Sequence, residues 1–147
     1  MKDLIFVSII MITVLLTACS NESVVNDKFT FIGEGEYWEA EYVFESEETQ
    51  KEKDGRTTFS TINSDAFTLS YKGNVEDIQT IEKVEYNYKT SAGEGSGSRE
   101  FDEPPTDITF KSNSSDNGAK VYKDEVIPVI VSWGDFEESF ELVNRSE

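Results

Sequence analysis

The sequence predicts an all-β chain: an antiparallel β-sandwich preceded by a short N-terminal signal helix. Three observations lead there. From Phe29 onward apolar residues recur at every second position, the period of strands with one buried face. Glycine, asparagine and aspartate punctuate that pattern about every ten residues, as short antiparallel strands require. Beyond residue 18 no stretch shows the 3.6-residue period of an amphipathic helix. Seven to nine strands at this spacing describe an immunoglobulin-like sandwich; a small closed barrel has the same period, and the period alone leaves both open.

The first element is Met1-Lys2-Asp3, then the uncharged run Leu4 to Leu16, then Thr17 and Ala18 before Cys19. This is the layout of an export signal peptide, residues 1–18. Its thirteen apolar-run residues would form a helix of about 20 Å, short of a hydrocarbon core of about 30 Å. Residues 19–28, a cysteine followed by "SNESVVNDK", are polar and without period, which predicts a flexible tether. Residues 29–147 then form one domain, since 129 residues after the signal suffice for one core and not for two.

Within that domain Trp38, Ala40, Tyr42 and Phe44 alternate with Glu39, Glu41 and Val43. Phe67, Leu69 and Tyr71 alternate with Thr68 and Ser70, and Val84, Tyr86 and Tyr88 with Glu85 and Asn87. Further strands are expected at 29–32, 56–62, 107–111, 120–122, 126–133 and 136–143. The last two form a hairpin, "VIPVIVSW-GD-FEESFELV", whose two-residue Gly134-Asp135 turn fixes the register. It sets Trp133 opposite Phe136, Val131 opposite Glu138, Val129 opposite Phe140 and Ile127 opposite Leu142. Glu138 breaks the apolar face and is expected to be paired or near an open end. Pro128 cannot donate to a ladder, so its neighbour on that side is expected to be missing or bulged. The acidic stretch 45–55 and the glycine-rich stretch 91–105 read as long exposed loops.

Leu16-Thr17-Ala18-Cys19 resembles the bacterial lipobox. The resemblance implies that Cys19 is acylated, becomes the first residue of the mature chain and anchors it in the cell membrane through palmitate-like chains. Two acyl chains, at about 0.8 kcal/mol per buried methylene, anchor stably where one is marginal. The stretches "GEGEYWEAEY" (33–42) and "VIVSWGDFEESFEL" (129–142) together resemble small Gram-positive lipoproteins with an immunoglobulin-like domain. That second resemblance implies the fold and the anchoring, and no activity.

Composition narrows the chemistry. The chain has no histidine, which removes histidine-based acid–base catalysis, Ser-His-Asp and Cys-His nucleophile activation, and the usual zinc sites. Cys19 is the single cysteine, so the exported domain is expected to hold together without disulfides. A net charge of −17 opposes nucleic-acid phosphates and favours cations or basic partners. No catalytic residue is nominated and no enzyme activity is expected; paired carboxylates for glycoside hydrolysis would need a cleft with two opposed acids.

Asn113, Ser115, Asn117 and Gly118, with Asp124 at the twelfth position, follow the spacing of a Ca²⁺ loop. The competing reading is a hairpin turn at Asn117-Gly118. Glu45, Glu47 and Glu48, or Asp102 and Glu103, are further acidic groups for an ion, against the ordinary reading of solvated charge. No other cofactor is expected. Among the aromatics, Tyr37 has the opposite parity to Trp38, which makes it the candidate exposed contact. The expectation for the whole is a non-catalytic binding or interaction module at the cell envelope, with membrane lipid and an envelope protein or glycan as partners. The competing expectation is an accessory subunit that pairs through an exposed sheet edge.

Overall fold

The computed structural model describes residues 21–146; the expected signal segment 1–18 and Cys19 lie outside them. The strands are β1 (Asn21–Glu34), β2 (Trp38–Lys53), β3 (Arg56–Tyr71), β4 (Lys83–Lys89), β5 (Glu94–Glu100), β6 (Thr109–Asp116), β7 (Val126–Trp133) and β8 (Phe136–Asn144). One helical turn, α1 (Val75–Ile78), lies between β3 and β4. All eight strands form one antiparallel sheet of order β5-β4-β7-β8-β1-β2-β3-β6. The chain clusters into two compact units, one joining the segment up to Val25 with Glu48–Ser60, the other Asn26–Glu47 with Thr61–Glu147.

In the larger unit the sheet folds over so that β2-β3-β6 faces β5-β4-β7-β8, with β1 inserted between β8 and β2. Apart from β1, this is the strand arrangement of an immunoglobulin-like sandwich. Aromatic residues of one parity close the gap between the layers. The Phe67 ring of β3 stacks 4.2 Å from Tyr88 of β4, Tyr86 lies 5.1 Å from Phe110 of β6, and Trp38 of β2 lies 5.7 Å from Trp133 of β7. Such pairs contribute about 0.5–1.5 kcal/mol each beyond the area they bury. Phe31, Leu69, Val84, Val129 and Leu142 fill the space around them with no exposed surface.

The β7–β8 hairpin has the register that its turn sets, from Trp133↔Phe136 to Ile127↔Leu142. Gly134 has φ +56°, the left-handed conformation that glycine adopts without steric cost. The β4–β7 ladder ends at Tyr88↔Val129, so Pro128 has no partner on that side. Glu138 is paired, in a way described below.

Four expectations differ from the structure. Residues 120–122 are not a strand but part of the connection between β6 and β7, where Val121 alone is buried. Residues 45–55 are not a loop: β2 and β3 run to Lys53 and from Arg56, joined by a two-residue turn in which Asp54 has φ +52° and Gly55 φ +71°. That is the type I′ geometry that Asp-Gly favours, and it went unread because the flanking residues are polar on both faces. Residues 91–105 contain β5, an edge strand whose Gly95 and Gly97 pair with Tyr88 and Tyr86. A Cβ on Gly95 would sit 2.1 Å from Tyr88 Cζ, and one on Gly97 2.6 Å from Tyr86 Cε1. The glycines let the two tyrosine rings lie flat across β5, so a stretch that reads as linker is a packed strand. The expected tether is also extended structure, since β1 begins at Asn21 and its residues up to Lys28 are exposed. The turn α1 was not foreseen either; four residues are too few to show a helical period. The Asp77 carboxylate accepts the Asn74 N–H at its start (3.2 Å), and Ile78 alone is buried.

Candidate functional site

Toward one end of the sandwich the inward-facing positions change from apolar to polar. On β3, Leu69 and Phe67 are followed inward by Asp65 and Asn63; on β6, Phe110 by Ser112, Ser114 and Asp116; after β4, Tyr86 and Tyr88 by Thr90. There the core opens as a cleft of about 170 Å³ lined by Tyr42, Asp65, Tyr88, Thr90, Ser114 and Asp116, with residues 92–95 of the β4–β5 connection. β5 and β6 are the two edges of the sheet. Arg99 of β5 joins them farther along, donating from Nη2 to the Thr109 carbonyl oxygen (3.3 Å) with its guanidinium carbon 4.8 Å from the centre of the Phe110 ring. The cleft lies where the edges part, beside Glu94 and Gly95 on one strand and Ser114 and Asp116 on the other.

Tyr42 and Tyr88 form the floor, their ring centres 5.6 Å apart. Both are almost fully buried. Burial, and next the negative charge of Asp65, push both hydroxyls above the ordinary tyrosine pKa. Each therefore stays a neutral phenol at physiological pH, hydrogen-bonded to Thr90 and to Ser112 respectively. The Ser114 hydroxyl donates to Asp65 Oδ1. Of the ten lining residues Asp65, Glu94 and Asp116 are acidic and none is basic. Lys89 pairs with Glu94 at 2.8 Å and holds its carboxyl below the usual range, leaving the two aspartates to face the cleft.

The walls are pinned. Thr90 Oγ1 accepts from the Ala92 and Gly93 N–H groups (both 3.2 Å), which closes the β4–β5 turn. Glu125 accepts from the Ser91 N–H and hydroxyl (2.5 and 2.6 Å) and ties this turn to the segment before β7. Asn63 Nδ2 donates to the carbonyls of Gly118 and Ala119 (3.2 Å each), which fixes the start of the β6–β7 connection.

Aromatic residues gather at the β7–β8 turn. Tyr37, in the turn before β2 and 43% exposed, sits 5.7 Å from Trp133, which in turn stacks 5.9 Å from the exposed Phe136. Beside them the Glu138 carboxylate accepts the three successive N–H groups of Glu36, Tyr37 and Trp38 at 2.5–3.2 Å. The charge that interrupts the apolar face of β8 thus closes the β1–β2 turn.

The Ca²⁺-loop residues do not converge. Asn113 and Ser115 belong to β6, paired with Ala66 and Ser64 of β3, while Asn117 and Asp124 lie in the connection to β7. An extended strand cannot wrap alternate side chains around one point. Gly118 N–H donates instead to Asp116 Oδ1 (2.8 Å). Glu45 and Glu47 lie on exposed strand, with Glu45 paired to Lys28 at 2.6 Å. Asp102 and Glu103 line a wide groove of about 570 Å³ with Glu82, Lys83 and Glu100. Among the described residues no group of three or more carboxylates could hold a metal ion.

Sequence reasoning placed Tyr42 and Tyr88 in the core and missed that their hydroxyl ends face a cleft. The available signal was Asp65, an acid on the same parity as Phe67 and Leu69. Compared with known proteins, the chain matches no family model, no curated protein and no solved structure.

Proposed function

We propose that this chain is a lipid-anchored, extracytoplasmic binding module that acts without catalysis and takes a small cationic group into the cleft over Tyr42 and Tyr88. The observation that carries the reading is a cleft with two neutral phenols for a floor, carboxylates at its rim and no basic residue in its lining. At about 170 Å³ it is smaller than the roughly 300–1,000 Å³ of sites that enclose a whole ligand. It suits one protruding group, such as an ammonium presented by a peptide or an amino sugar. Aromatic faces and carboxylates together attract such a cation, and the negative charge of the chain raises its local concentration. The lipobox residues Leu16 to Cys19 support the anchor.

Two measurements test the reading. Titration with N-acetyl-lysine methylamide, followed by tyrosine NMR shifts at low salt, should move the Tyr42 and Tyr88 resonances, whereas the glutamate analogue should not. Asp65→Asn should weaken that binding about tenfold, about 1.4 kcal/mol. Equal response to both probes would refute the ligand class. For the anchor, wild-type protein should partition into Triton X-114 and Cys19→Ala should not; equal partitioning would remove the lipid from the model.

A further inference from the structure

The smaller unit is a ribbon made of the start of β1, the end of β2 and the start of β3. Its strands are in fixed register. The two-residue Asp54-Gly55 turn sets Lys51 opposite Thr58, and Thr58 Oγ1 donates to the Lys51 carbonyl oxygen (3.4 Å). Lys51 also pairs with Glu22 of β1 at 3.3 Å. Cys19 is three residues before Glu22, and the turn begins three residues after Lys51. Because β1 and β2 are antiparallel neighbours, the chain leaves β1 toward the same end as the turn. Three residues reach at most about 11 Å, so an acyl group on Cys19 would hold this end of the ribbon at the lipid surface.

The ribbon suits that surface. Phe59 is 76% exposed, the most exposed large apolar side chain among the described residues, and Val24 and Val25 of the same unit are about half exposed. The turn "KEKDGR" (51–56) carries three basic and two acidic residues in a chain of net charge −17. With Lys51 taken up by Glu22 and Lys53 and Arg56 balanced by Glu52 and Asp54, this end is close to neutral on an otherwise strongly acidic protein. Lys and Arg near an anionic bilayer each contribute attraction of about 1 kcal/mol, within a Debye length of about 8–10 Å.

We infer that the β2–β3 hairpin is a second membrane contact, seated by the Cys19 anchor, in which Phe59 enters the interface and Lys53 and Arg56 meet anionic headgroups. The inference rests on the lipid-anchor reading above. Its partner is the bilayer itself, and its effect is to hold the ribbon against the membrane so that it cannot swing freely on the acyl chains.

The test uses the full chain, produced in a lipoprotein-processing host, carrying Phe59→Trp and reconstituted into vesicles of phosphatidylglycerol and phosphatidylcholine with brominated acyl chains. Mass spectrometry of the same sample reads the acylation of Cys19. The expected result is an acylated chain whose added tryptophan emission shifts to the blue and is lost to bromine quenching. An acylated, vesicle-bound chain whose added emission remains that of tryptophan in water overturns the second contact and leaves the anchor standing. A bare thiol at Cys19 overturns both. Equal quenching in a Tyr122→Trp chain, at an exposed position of the other unit, also overturns the inference, because the whole protein would then be adsorbing. A melting temperature equal to wild type shows that Phe59→Trp is folded.

Discussion

Replacing Gly95 with alanine adds one methyl group to an edge strand, and strand preferences alone would make that change favourable by about 0.5 kcal/mol. The packing predicts the opposite. The added carbon would lie 2.1 Å from Tyr88 Cζ and 2.4 Å from Cε1, against about 3.5–4.0 Å for carbons in contact. Retreat is restricted: Phe67 stacks on the ring at 4.2 Å, Tyr42 lies at 5.6 Å, and only the hydroxyl end borders the cleft. Either the ring leaves its rotamer or β5 separates from β4. Overpacking of this kind costs about 1–3 kcal/mol, and we place Gly95→Ala at the upper end. At about 3–5 °C per kcal/mol for a domain of this size, the midpoint should fall by roughly 10 °C. Thermal melts followed by near-ultraviolet circular dichroism measure it. Gly118→Ala is the control, because its added carbon would meet nothing closer than Asp116 Oδ1 at 3.4 Å. In a Tyr88→Val background, where the ring is gone, Gly95→Ala should cost almost nothing. A Gly95→Ala protein as stable as wild type, or an equal loss in both backgrounds, would refute the argument that the tyrosine ring requires this glycine.

Other outcomes follow from the same structure. Glu138→Ala strips the acceptor from the N–H groups of Glu36, Tyr37 and Trp38 and should cost about 2 kcal/mol in urea unfolding, since hydrogen bonds to a charged group contribute about 1.5–3 kcal/mol and the exposed Glu36 and Tyr37 amides regain water while the part-buried Trp38 amide does not. Tyr42, Tyr88 and Tyr71 have pKa values raised above the ordinary 10.0, chiefly by burial. Folding holds their protons more tightly than the unfolded chain does, so their contribution is complete below about pH 10 and is lost as pH rises through the folded-state values. Spectrophotometric titration should show part of the tyrosine absorbance change arriving late and together with unfolding. Six tyrosines titrating as one ordinary group would contradict it.

The sequence is most legible where one face is apolar. The alternation of Trp38 to Phe44, Phe67 to Tyr71 and Val84 to Tyr88 marks strands that are buried on one face. A two-residue turn between apolar runs gives the β7–β8 register residue by residue. Legibility fails where pairing is carried by backbone alone. The far end of β2, up to Lys53, is strand with polar side chains on both faces, so no period reveals it and only Asp54-Gly55 signals that it joins the expected strand at 56–62 in a hairpin. β5 is hidden for a different reason: its side chains are absent because its neighbour's rings occupy their place. The cleft escaped because a tyrosine gives one periodicity signal whether its hydroxyl end is buried or lines an opening. The three-stranded ribbon was readable only once the ion pair of Lys51 and Glu22 fixed which ends lie together.

The place of β1 bears on the order in which the molecule can assemble. It is the first strand described, yet on one side it hydrogen-bonds to β8, the last, joining residues more than a hundred positions apart at Ile32↔Val143. A chain delivered from its N-terminus presents β1 early and must leave that side unsatisfied until the final hairpin arrives. Closing so long a loop before contacts reward it slows folding. Completion therefore waits on the nine-residue strand β8, and a ribosome that stalls before Phe136 releases a product with an open seam for proteases and stray strands to find.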